Sequence, residues 1–73
     1  MTEIRNRNKE KILSEFGMMK DFELTARDLY IKIATSPDVK EQKVKDTFAK
    51  IADDEQRHSE LVQKIINIAT NAL

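Results

Sequence analysis

Seventy-three residues, thirteen basic and thirteen acidic, make a neutral chain with no cysteine, one glycine and one proline. Disulfides, thiolate metal sites, iron–sulfur clusters and thiol catalysis are thereby excluded. With no basic block in view, sequence-independent nucleic-acid binding is disfavoured. A chain this short forms one domain that buries only about 60% of its unfolded surface, so a metal or self-association is expected to add stability.

The opening stretch "MTEIRNRNKEK" is basic but lacks an apolar run and a small-residue cleavage site, so it does not read as a secretory signal. No apolar run approaches the roughly 20 residues that span a bilayer. A cytoplasmic location without a membrane partner is expected. The first ten residues fall outside any apolar pattern and are expected to fray or pack at a rim.

A first helix is expected over about residues 8–35. Ile12, Phe16, Met19, Glu23, Ala26, Tyr30 and Ile33 recur at alternating steps of four and three, the spacing of helices packed in a bundle. Leu13, Phe22 and Leu29 widen this stripe enough for more than one neighbour. "TSPDVKE" then breaks the chain, with a loop expected over about 36–40. Ser36 before Pro37 reads as an N-cap followed by proline at the first helical position, and Asp38 with Glu41 offers a competing capping box.

The second helix is expected over about 41–70, on a seam of Val44, Phe48, Ile51, Glu55, His58, Val62, Ile65 and Ala69. Two helices joined by one short loop form an antiparallel hairpin, an all-α fold occupying residues 1–73 as a single domain. Both seams are apolar except at Glu23, Glu55 and His58. In a hairpin turning near 38–40, these three lie roughly level.

A lone core-facing histidine is more often hydrogen-bonded than metal-bound, and a glutamate three residues before it can be a local pair worth a few tenths of a kcal/mol. Cost favours another reading. An ionised carboxylate withdrawn from water loses several kcal/mol unless a cation compensates, and the seams carry no Lys or Arg near these positions. Glu55 and His58, three apart, project from one helix face toward a common centre. Carboxylate and imidazole ligands without thiolate suit iron, manganese or zinc. One hairpin offers three ligands, whereas two related by a two-fold axis offer four Glu and two His, the inventory of a dinuclear carboxylate site in a four-helix bundle.

"ELTARDLY" (residues 23–30) and "FAKIADDEQRHSELV" (residues 48–62) resemble consecutive helices of the ferritin-like and rubrerythrin-like di-iron carboxylate family. The resemblance spans roughly residues 16–68, and its single half-site makes the chain similar to two-helix members such as encapsulated ferritins. It implies a ferritin-like four-helix bundle formed by a homodimer or a multiple of it, with dinuclear iron shared between subunits. Glu23, Glu55 and His58 are its implied iron ligands, and Tyr30 is the implied hydrogen-bond donor to a ligand carboxylate. Asp54 is a further candidate, as the acceptor that orients a metal-bound histidine across the interface, against the plainer reading of a solvated carboxylate. The implied activity is that of an oxidoreductase, a ferroxidase- or rubrerythrin-like oxidation of Fe(II) by dioxygen or peroxide. With no cysteine-rich domain in the sequence, electrons would come from an external donor. Two alternatives stay open: a structural or interaction hairpin dimer using Glu and His as a polar register pair, and a metal sensor or carrier without turnover.

Overall fold

The structure, a computed structural model, describes residues 2–72, with side chains described from residue 7. It is all-α: helix α1 (Thr2–Ala34) and helix α2 (Gln42–Ala72) pack side by side in a rod 58 Å long and 14 by 11 Å across. Among the described residues no helix is long and apolar enough to cross a membrane. The helix α1 starts at Thr2, ahead of the expected start near residue 8; for residues 1–6, the expected rim packing lies outside the described side chains.

The break falls at the proline. The residue before a proline is pushed out of the helical region, so α1 cannot run through Ser36. Its last carbonyls are taken up locally: the Thr35 amide (2.9 Å) and hydroxyl (2.8 Å) both donate to the Ile31 carbonyl, and the Ser36 amide donates to Ile33. Ser36 does not cap α2. It organises a separate turn, its carbonyl accepting from the Val39 amide and its hydroxyl from the Asp38 amide, both at 3.3 Å. The second helix begins at Gln42, where the Lys45 amide donates back to the Glu41 carbonyl.

Three contacts define the hairpin. The Lys20 ammonium donates to Gln63 Oε1 at 2.5 Å, the Arg27 guanidinium donates to Gln56 Oε1, and Tyr30 packs against Phe48, the rings tilted by 40° with centroids 5.8 Å apart. Positions rise along one helix as they fall along the other, so the pair is antiparallel. The expected seam is buried or half-buried except at Met19, His58 and Ile65, which are exposed. These contacts also widen it on the other flank, with Leu13, Lys20, Arg27 and Ala34 in α1 and Ala52, Ser59 and Ile66 in α2 buried or half-buried. Lys20 and Arg27 therefore occupy the seam, half-buried, where the sequence pattern suggested no cation.

The tightest packing uses small residues. Ala52 is 3% exposed and Ser59 2%, the Ser59 hydroxyl donating to the Gln56 carbonyl of its own helix at 2.7 Å. Small side chains let the helix axes approach, and added bulk there forces them apart. Ala52→Leu is expected to destabilise the protein by about 1–3 kcal/mol through overpacking, read as a lowered thermal midpoint; Ser59→Ala is expected to be nearly silent. Gly17 has no part in this approach, since a Cβ there would meet nothing within 4 Å.

Candidate metal centre

Glu23 stands at the middle of α1, and Glu55 and His58 share one turn of α2. The antiparallel register brings them together: one ligand atom from each lies within 4.8 Å of the other two. Two ligands opposite one another across a metal at about 2.1 Å stand about 4.2 Å apart, so the three side chains are gathered to nearly coordinating distance. The two glutamates are half-buried and His58 is exposed.

Electrostatics at this point is unbalanced. One oxygen of Glu23, Oε2, is buried and has no hydrogen-bond partner. Among the described residues the ion pairs are Arg27 with Asp28 and Arg57 with Asp54; neither includes Glu23 or Glu55. Lys20 and Arg27 flank Glu23 in sequence, yet their head groups turn to the far side of the seam, onto Gln63 and Gln56. A buried carboxylate oxygen left without a donor costs about 1–3 kcal/mol or more. A cation held between Glu23, Glu55 and His58 removes that cost, so the donor set and the orphaned oxygen both fit a metal ion.

The surroundings divide into two rims. On one, the ladder Lys20–Gln63–Asn67 and Arg27–Gln56–Glu60 runs along the seam, Gln63 donating to Asn67 at 2.9 Å and Gln56 to Glu60 at 3.3 Å. On the other lie His58 and the flank residues Met19 and Ala26, since neighbours three or four positions from Glu23 and Glu55 fall to either side of them. This second rim is apolar and open. Met19, Phe22 and Leu29 of α1 and Leu61, Ile65 and Ile68 of α2 are all exposed, Phe22 to 75% and Ile68 to 65%.

Tyr30 is half-buried two turns beyond Glu23, its ring against Phe48. Asp54 accepts from the Arg57 guanidinium on its own helix, so it is engaged locally rather than with His58. The apolar periodicity marks all three members of the cluster but not Lys20, Arg27, Gln56 and Gln63. Their signal was present: two cations seven apart and two amides seven apart, each pair on one helix face.

No protein-family model matches the chain, and no curated relative or solved structure matches it either.

Proposed function

We propose that two hairpins join into an antiparallel four-helix bundle holding a dinuclear iron–carboxylate centre, and that the protein oxidises Fe(II) with dioxygen or peroxide. The observation that carries this reading is the convergence of Glu23, Glu55 and His58, together with a buried, unpartnered oxygen on Glu23. Three protein ligands leave a metal open on one side. A second copy related by a two-fold axis doubles the set to four carboxylates and two imidazoles, one histidine for each metal. The exposed apolar rim on which the cluster opens favours that partner. Manganese and zinc suit the same ligands.

Iron supplies the change of valence and the open positions for an oxidant. The chain supplies the rest. Glu23 and Glu55 bring the negative charge that holds two cations close together, and His58 gives a neutral nitrogen to each. Apolar neighbours such as Met19 and Ile65 exclude water once covered. Tyr30 is suited to donate to a ligand carboxylate in the bundle, and Asp54 to orient an imidazole of the facing subunit, exchanging its Arg57 partner. Electrons for a returning cycle come from an external donor, since the chain has no cysteine to bind a relay cluster.

Melting curves at neutral pH with Fe(II), with Mn(II) and with chelator test the binding. A metal present at about 100 times its dissociation constant stabilises by about 2.7 kcal/mol, an upward shift of about ten degrees or more for a domain this size. Identical curves with metal and chelator reject the metal centre and leave the structural hairpin dimer. Anaerobic Fe(II) loading followed by dioxygen then separates turnover from carriage: the protein is expected to oxidise Fe(II) faster than buffer does, and a bound metal without acceleration identifies a sensor or carrier.

A further inference from the structure

We infer that Lys20, Arg27, Gln56 and Gln63, on the rim opposite the candidate metal centre, are positioning residues whose two interhelix hydrogen bonds set the axial register that brings Glu23 level with Glu55 and His58. This rests on the metal reading of that cluster. The two bonds repeat at one spacing: Lys20 and Arg27 are seven apart on α1, as Gln56 and Gln63 are on α2, so both bonds close in a single register. Each glutamine donates its Nε2 four residues along its own helix, to Glu60 or Asn67, which leaves Oε1 turned to the cation of the other helix. Arg27 is held in turn by Asp28, which accepts at 2.7 and 2.9 Å.

The other constraints on sliding are weaker. The seven residues 35–41 would reach about 23 Å if extended, against about 8–10 Å between packed helix axes, so a slip of a turn or more costs the turn at Ser36 its hydrogen bonds but is within the reach of the chain. Ala52 and Ser59 in the α2 seam are small, so they bring the helices close without presenting a large side chain that blocks an axial shift. The Tyr30–Phe48 pair is favourable over about 4.5–7 Å between centroids and so gives a soft constraint. A slip of one turn, about 5.4 Å, takes Glu23 out of a cluster whose ligand atoms lie within 4.8 Å. It also strips half-buried Lys20 and Arg27 of their acceptors on the other helix. Directional bonds on the far rim thus hold the ligands in line.

The chain has no cysteine, so Ser14→Cys and Asp53→Cys, both exposed and widely offset along the rod, take spin labels cleanly. Dipolar distances are measured in chelator, with labelled protein diluted by unlabelled protein. The parent should give one narrow distance, and Gln56→Leu/Gln63→Leu a distribution displaced or broadened by about 5 Å, one helical turn. In separate titrations without labels, that variant should bind Mn(II) at least tenfold more weakly although Glu23, Glu55 and His58 are intact. Gln56→Glu/Gln63→Glu restores an acceptor for each cation and should recover both the distance and the affinity. If the leucine variant fails to fold, Lys20→Met/Arg27→Met tests the same bonds from α1 with the same expectation. An unchanged distance in either apolar variant overturns the inference, even if affinity falls. The distance needs no metal, so a parent that binds none sinks the metal centre while the register result stands separately.

Discussion

Replacing His58 by alanine is expected to weaken iron binding by about 100-fold or more while leaving the helix content of the metal-free protein unchanged. Losing an outer partner of a metal ligand already costs about 10- to 100-fold in affinity, and losing the ligand itself costs more. Each metal of the proposed centre has one nitrogen, and no second histidine exists to replace it. The fold does not depend on this side chain, because His58 is exposed in the hairpin and alanine is the better helix former. Glu23→Gln and Glu55→Gln should also weaken binding, and Glu23→Gln carries a second signature. The orphaned oxygen of Glu23 is a standing cost in the metal-free protein, so neutralising that side chain should raise metal-free stability, by about 1 kcal/mol, while lowering the stability gained from metal. Calorimetric titration with Fe(II) under argon, beside melting curves in chelator, reads both effects. Parent-like iron binding by His58→Ala removes the centre from these residues.

Ile65→Glu is expected to abolish assembly and, with it, most of the helical signal at micromolar concentration. The hairpin alone has very little core. Among the described residues the buried ones are Ala52, Ser59, Val62 and Ala69, and no large side chain is fully buried. Ordering a residue costs about 1–2 kcal/mol of backbone entropy, a sum that four mostly small side chains cannot offset over two helices of this length. Covering Met19, Phe22, Leu29, Leu61, Ile65 and Ile68 with a second copy supplies what is missing, at about 1.5–3 kcal/mol for each large side chain taken fully out of water. A glutamate at position 65 keeps helix propensity but removes one such contribution and adds a charge beside the carboxylates. With two copies per dimer, the loss of about 3–6 kcal/mol raises the dissociation constant by about 10²–10⁴-fold. Sedimentation velocity and circular dichroism over a concentration series follow the two events together. A parent protein that is a helical, cooperatively melting monomer at micromolar concentration defeats this expectation.

Several features are determined by the sequence alone. Pro37 disfavours helix at Ser36, and the break falls there. The steps of four and three make Phe16–Glu23–Tyr30 and Phe48–Glu55–Val62 the centres of two apolar stripes. Glu23, Glu55 and His58 are conspicuous because each interrupts such a stripe, and counting back from the turn already makes them level. Tertiary structure alone decided which flank of each stripe meets the other helix. A stripe wide enough for two neighbours can turn either flank to the other helix of its hairpin, and periodicity alone does not say how far the seam extends to each side. The choice went against the more apolar flank. Lys20 and Arg27 bury their methylene stems in the seam and keep their charged ends on amides at its edge, a placement that hydropathy counts as polar and sets aside. Ala52 and Ser59 complete that side by letting the helices come close, whereas Met19, Phe22, Ile65 and Ile68 stay outside with the histidine. Close approach of backbones and the reach of long side chains depend on the geometry of both helices at once, which no single helix pattern contains.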